Sequence, residues 1–117
     1  MNSYDRRESI PVTVTLTSDG TTALDTSNFV TITVKVTHKH LGSSMGRYSL
    51  VDSSVTKESP TTDGQITFIC EDSETANAPL GVYKYQVKTT ETDADYESSI
   101  RTRTFVGDCF YLKKALT

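Results

Sequence analysis

Apolar and polar side chains alternate along most of this chain. The segment IPVTVTLT, residues 10–17, places Ile10, Val12, Val14 and Leu16 on one side and threonines on the other. A period of two is typical of an antiparallel strand with one buried face and one solvated face. FVTITVKVTHKH, residues 29–40, repeats the pattern, so Val30, Ile32, Val34 and Val36 are expected to point inward.

Further short strands are predicted along the rest of the chain. They are Arg47–Val51, a short edge segment at Ser54–Lys57, QITFIC (65–70), VYKYQVKT (82–89), IRTRTFV (100–106) and DCFYLKK (108–114). GSSMG (42–46) and Gly107 interrupt this series, because glycine and serine resist regular structure. One helical turn is expected within Glu71–Ala78, capped by Asp72 or Ser73 and ended by Pro79.

About seven short strands without a long helix predict an all-β fold, an immunoglobulin-like antiparallel β-sandwich. The chain has 117 residues, the length of one domain, and it lacks the tryptophan of antibody domains. We therefore expect a flexible N-terminal arm at 1–9, the sandwich at 10–112 and a C-terminal tail at 113–117.

Charge narrows the choice of partner. The chain carries 12 Lys and Arg against 15 Asp and Glu, a net charge of −3, so neither nucleic acid nor an anionic membrane is an expected partner. No apolar run approaches the ~20 residues that cross a bilayer, and MNSYDRRESIPV lacks the apolar core of a signal peptide. These features predict a chain made and kept in the cytosol, or assembled there into something larger.

The two cysteines, Cys70 and Cys109, have no zinc-site or redox-motif spacing. Reduced thiols are the expectation in a cytosolic chain. A bridge across the sandwich stays open as the alternative, provided that the two strands face each other.

His38 and His40 are the first candidates for metal chemistry. They lie two residues apart, so on a continuing strand both would project from one face, as two zinc or copper ligands do. The chain supplies no third histidine. We therefore interpret both as solvent-exposed polar residues at a strand end.

The other candidate reactive sites have incomplete motifs. Asp93, Asp95 and Glu97 alternate like the start of a calcium loop, but Ser98 stands where that loop needs glycine. No G-x-S-x-G elbow or glycine-rich phosphate cradle is present in the sequence. We expect no enzyme activity and no cofactor.

Six basic residues are candidate assembly contacts, because arginine is enriched at interfaces and the terminal segments are polar. These are Arg6, Arg7, Arg101, Arg103, Lys113 and Lys114. The alternative for Arg101 and Arg103 is ion pairing across the sheet, and for the termini it is simple fraying.

The order of these features resembles the small immunoglobulin-like domains of tailed-bacteriophage virion proteins, particularly the N-terminal domain of upper-baseplate proteins. The residues that carry the resemblance are VTVTLTSDGTTALDTSNFVTITVKV (12–36), GQITFICEDSETANAPLGVYKYQV (64–87) and the Thr-rich strand Arg101–Val106. It covers about Ile10 to Leu112.

The resemblance implies a non-enzymatic structural protein of a virion, made in the host cytoplasm. Its role would be that of a tail, baseplate or neck connector, or of a capsid decoration or cement protein. Its partners would be other virion proteins, in a homo-oligomer or another multi-copy assembly. The alternative is a carbohydrate- or cell-surface-binding module that uses some of the six tyrosines as stacking platforms. A cytosolic metal-dependent enzyme is a remote third hypothesis.

Overall fold

The computed structural model describes residues 2–96 and 99–114. Eight strands and one helical turn occur in these ranges. They are β1 (Ser3–Asp5), β2 (Ile10–Thr15), β3 (Phe29–His38), β4 (Ser44–Ser49), β5 (Val55–Lys57), β6 (Gln65–Cys70), α1 (Asp72–Thr75), β7 (Gly81–Thr92) and β8 (Ile100–Lys113). Short 3₁₀ turns at Thr26–Asn28 and Thr61–Asp63 precede β3 and β6.

The strands form two sheets, which confirms the prediction of an all-β sandwich. A five-stranded sheet has the order β1-β8-β7-β3-β4, and a three-stranded sheet has the order β2-β6-β5. The pairs are antiparallel except for β1 with β8, which run parallel. The predicted edge segment at Ser54–Lys57 is present as β5.

The inward side chains of both sheets meet in one core, as the alternation predicts. Val12 and Val14 lie in the smaller sheet, and Val34 and Val87 lie opposite each other in the larger one. Each fully buried aliphatic side chain stabilises the fold by about 1.5–3 kcal/mol. Tyr48 of β4 stacks on Phe68 of β6 with ring centroids 5.0 Å apart, so aromatic packing joins the two layers.

Val30 departs from the predicted inward set. The pairing of β3 with β7 shifts register between Phe29 and Thr31, so Val30 is the extra residue of a β-bulge. Its side chain is 64% exposed, and Phe29 enters the core instead. The sequence does not reveal this bulge, because Phe29 and Val30 are adjacent apolar residues and either could begin the inward alternation.

The predicted strand Arg47–Val51 begins and ends earlier in the structure, at Ser44 and Ser49. A second bulge opposite Val36 and Thr37 lets the GSSMG segment join the sheet, with Met45 packed against the core. The end of β4 is fixed by Ser54, whose hydroxyl accepts a hydrogen bond from the Ser49 amide at 2.8 Å. Val51 lies beyond this contact and is exposed.

Gly107 was expected to break the last strand, yet β8 continues through it to Lys113. A Cβ at this position would lie 2.6 Å from the hydroxyl oxygen and 2.8 Å from ring carbons of Tyr85, the residue directly opposite on β7. Gly107 therefore makes room for a neighbouring ring. The break in pairing occurs two residues later, where Cys109 is the extra residue between the Lys84 and Tyr83 pairs.

The expectation of a flexible arm at 1–9 is wrong for the residues that form β1. Ser3, Tyr4 and Asp5 pair with Tyr111, Leu112 and Lys113 of β8. The Tyr4 ring packs edge-on against Phe110 at 6.2 Å, so one aromatic side chain anchors an otherwise polar segment. Lys113 of the predicted tail belongs to β8, and residues 115–117 of that tail lie outside the described residues.

The single helical turn is confirmed as α1, with a different cap from the one predicted. The cap is Glu71, rather than Asp72 or Ser73: it accepts from the amide of Glu74, and its own amide donates to the Glu74 carboxylate at 2.9 Å. This reciprocal arrangement satisfies two amides that the first turn leaves free.

Gly81 begins β7 with φ at +132°, and a Cβ there would lie 2.6 Å from Nε2 of His38. Gly20 has a positive φ of +88° but open space around it. We expect Gly81→Ala to lower the free energy of unfolding by about 2–4 kcal/mol, and Gly20→Ala by only about 1 kcal/mol. Urea denaturation of both variants measures the difference, and equal losses would contradict a steric role for His38.

Candidate interaction surface

Five cationic side chains occupy the solvent face of the five-stranded sheet, which we call the basic face. They belong to Lys35, Lys39, Arg47, Lys84 and Lys88. Their positions alternate with, or directly follow, the buried positions of β3, β4 and β7, so the same period that builds the core sends them outward. A chain with net charge −3 thus carries a local excess of positive charge.

The strand register brings these cations together. Lys35 lies between Arg47 on β4 and Gln86 on β7, and Lys88 is the direct neighbour of Thr33 on β3. Like charges directly opposite each other on adjacent strands destabilise a sheet. The pairing of Lys35 with Arg47 therefore destabilises the sheet. Formation of the core does not require two cations at these outward positions.

Neutralisation of this face is incomplete. Asp108 accepts from Nζ of Lys39 at 3.0 Å, and both side chains are nearly half exposed. Among the described residues, Lys35, Arg47, Lys84 and Lys88 form no ion pair. Asp52, in the loop after β4, has its carboxylate held by the hydroxyl and amide of Ser54, which lower its pKa.

Two open grooves run across the basic face and share Lys35 and Gln86. One has a volume of about 480 Å³ and includes Arg47 and Lys88 in its lining. The other, of about 320 Å³, includes Lys84 and the exposed side chain of Val106. The face therefore combines grooves, some apolar surface and positive charge. This combination suits contact with another macromolecule.

The solvent face of the three-stranded sheet has a different character. Its outward strand positions include Thr13, Thr15, Thr56 and Thr67, and the Thr67 hydroxyl donates to the nearby Glu58. The two outer faces of the sandwich therefore differ in charge, and the threonine face serves as an internal comparison for the basic face.

The structure separates the six basic residues predicted as assembly contacts. Arg103 pairs with Glu91 across the β7–β8 ladder at 2.7 Å, and Lys113 lies 3.7 Å from Asp5, so both meet carboxylates of their own chain. The Arg6 Nε donates to the carbonyl of Ala78 at 2.9 Å.

The other three form no ion pair among the described residues. The Arg101 guanidinium lies over the ring of Tyr96, with 5.6 Å between its Cζ and the ring centroid. Arg7 and Lys114 are exposed near the two chain ends. An assembly role for the six residues stays a prediction, and the basic face is a separate surface that the sequence did not single out.

The two histidines have different environments. His38 is 4% exposed, which contradicts the expectation that both histidines face solvent. Its Nδ1 accepts from the amides of His40 and Leu41, so Nε2 carries the proton and donates to the Leu80 carbonyl at 2.8 Å. Both ring nitrogens of His38 are therefore engaged, whereas His40 is exposed.

The cysteines are both free thiols in the structure. Burial raises the pKa of Cys70 from its ordinary 9.0 to about 11 and that of Cys109 to about 12. Burial likewise raises the pKa of Tyr48, whose hydroxyl donates to Glu74 at 2.9 Å. A high pKa lowers the thiolate fraction, so these environments do not activate either cysteine as a nucleophile or metal ligand.

The acidic hairpin that was weighed as a calcium loop is described only in part. Asp93 accepts a hydrogen bond from the backbone amide of Asp95, and Glu97 lies outside the described residues. Across residues 2–96 and 99–114, no group of three or more His, Cys, Asp or Glu side chains is arranged to hold a metal ion. In the same ranges no helix has the length and apolar character needed to span a membrane.

Comparison of the chain with protein-family models, with curated proteins and with solved structures gave no match.

His38→Ala removes the acceptor for two backbone amides and leaves the Leu80 carbonyl without its donor. We expect it to lower the free energy of unfolding by about 2–4 kcal/mol, and the exposed His40→Ala to change it by less than about 0.5 kcal/mol. Chemical denaturation measures both values. A metal-binding pair would behave differently, since both variants would lose bound zinc and similar stability.

Both cysteines have a higher pKa in the folded chain than when unfolded. The neutral thiols therefore contribute stability that is complete below about pH 9 and is lost as pH rises towards the folded values of about 11 and 12. At about pH 8 we expect iodoacetamide to modify the native thiols roughly 100-fold more slowly than the unfolded ones. Mass spectrometry of the alkylated protein follows the reaction, and equal rates would contradict the burial of both thiols.

Proposed function

We propose that this chain is a non-enzymatic structural protein of a bacteriophage virion that works through protein–protein contacts. One structural observation supports it above the others. Four cations on one sheet face, Lys35, Arg47, Lys84 and Lys88, have no ionic partner among the described residues, and two of them lie directly opposite each other. Costs of this kind are expected at functional surfaces, where a partner supplies the missing counter-charges.

The virion assignment rests on the resemblance to immunoglobulin-like domains of tailed-phage proteins in the segments 12–36, 64–87 and 101–106. A β-sandwich with two separate outer faces suits a connector, a baseplate or tail component, or a capsid decoration protein. Each of these roles needs a rigid body that meets several neighbours through its surfaces. The chain would be made in the host cytoplasm and act within the particle.

The carbohydrate-binding alternative receives less support from the tyrosines. Tyr48 and Tyr83 are 5% and 1% exposed, so their rings are not free to stack on a sugar. Tyr96 and Tyr111 are more than 40% exposed, but Tyr96 lies beyond the end of β7 and Tyr111 pairs with Val82 near its start. These two rings therefore do not form one platform.

The test is incorporation into the particle made by cells that produce the chain. We expect mass spectrometry of purified particles to find it in many copies. Lys84→Gln with Lys88→Gln should reduce incorporation about tenfold or more, since two unpaired cations of the contact surface are lost. Thr13→Glu with Thr15→Glu changes net charge by the same −2 on the threonine face and should leave incorporation unchanged.

Absence of the wild-type chain from all particles would overturn the virion assignment. Equal incorporation of the wild type and of the double glutamine variant would remove the basic face from the contact.

A further inference from the structure

The described chain carries a second charged region, at one end of the sandwich, which we call the acidic end. It comprises Asp19, Asp25, Asp63, Asp93 and Asp95. The strand pairing brings these residues to the same end. Thr15 at the end of β2 pairs with Gln65 at the start of β6, and Phe29 at the start of β3 pairs with Glu91 near the end of β7.

The carboxylates of the acidic end are available as charges. Backbone amides of Thr22 and Thr21 lower the pKa of Asp19 to about 2, and the hydroxyl of Ser27 lowers that of Asp25. Neither side chain makes an ion pair among the described residues. Of the nearby cations, Lys57 adds to the lowering of the Asp25 pKa while its Nζ donates to the Phe29 carbonyl, and Arg101 lies over Tyr96.

The acidic end and the basic face cannot neutralise each other within one molecule. From Asp93 at the acidic end, Lys88 and Lys84 of the basic face are five and nine residues away along β7, or roughly 17 and 30 Å along the strand direction. At physiological ionic strength, charges at the surface are screened beyond about 8 Å. Opposite charges so separated interact strongly only when a second molecule brings them into contact.

The dimensions of the molecule agree with such a contact. The chain measures 54 × 27 × 27 Å, so the end of the long axis presents a cross-section 27 Å on each side. Specific interfaces commonly bury about 800 Å² on each partner, which is close to the area of that end.

From this complementarity we infer that the basic face of one molecule docks the acidic end of a second copy of the same chain. The inference rests on the proposed function, in which the basic face is a protein contact surface, and it names the partner. Face and end are different surfaces, so the contact is head-to-tail rather than two-fold symmetric. Each bound molecule leaves one face and one end free, so the contact builds rings or open filaments, as a multi-copy assembly needs.

The experiment measures self-association of the full chain by sedimentation velocity. We expect oligomers at about 0.01 M salt, where charges act over about 30 Å, and monomers at about 1 M, where they act over about 3 Å. The face variant, Lys35→Gln with Lys88→Gln, and the end variant, Asp63→Asn with Asp95→Asn, should each weaken association at least tenfold. The control Thr13→Glu with Thr56→Glu lies in the middle of the threonine face, has the same net charge as the face variant and should associate like the wild type.

Mixing provides the sharper test. The face variant keeps its acidic end and the end variant keeps its basic face, so together they should form a one-to-one complex that grows no further. Homo-oligomers of either variant that match the wild type would overturn the inference.

Failure of this inference is distinguishable from failure of the proposed function. A wild-type chain that stays monomeric at low salt overturns self-docking. If the Lys84 and Lys88 substitutions still prevent particle incorporation, the face then contacts a different acidic virion protein and the proposed function stands. Salt-sensitive binding of a double-stranded DNA fragment by the monomer, lost in the face variant, would instead make nucleic acid the occupant and overturn the inference.

Discussion

The pairing of β3 with β7 places Val34 opposite Val87 and Val36 opposite Tyr85 on the inner side of the larger sheet. The same register places Thr33 opposite Lys88 and Thr37 opposite Lys84 on the outer side. A slip of one residue would move the core side chains to solvent and the lysines into the core, so burial of the valines fixes this register strongly. The hydrophobic core and the basic face are therefore two consequences of one set of strand pairs.

The sequence was sufficient to predict the class of fold. The alternation of apolar and polar residues is a local property of consecutive positions, and almost every strand of the structure keeps it. It was insufficient where the outcome depends on contacts between distant residues. The bulge at Val30, the continuation of β8 through Gly107 and the parallel pairing of β1 each depend on a partner strand. Burial of His38 depends likewise on the Leu80 carbonyl, 42 positions away in the sequence.

The basic face was missed for the same reason. Lys35, Lys84 and Lys88 are each predicted to point outward, but nothing in their spacing shows that β3 and β7 are neighbours. The outward position of Arg47 was harder still to predict, because the start of β4 lies in a glycine- and serine-rich segment. Knowing that β3 lies between β4 and β7 would have been the signal, since this order brings Lys35 beside Arg47 and Gln86. The sheet tolerates the repulsion between Lys35 and Arg47 because burial of the core contributes far more stabilising free energy than a few surface charges remove.

The short parallel strand β1 also changes what one margin of the larger sheet exposes. It covers the outer margin of β8 at Tyr111, Leu112 and Lys113, the part of the strand nearest the C-terminus. In the described part of the larger sheet, β4 is the terminal strand on the opposite margin, and the Ser54 hydroxyl occupies the Ser49 amide there. Uncovered margins template amyloid-like stacking, and these two contacts leave fewer free backbone groups on the larger sheet for pairing of that kind.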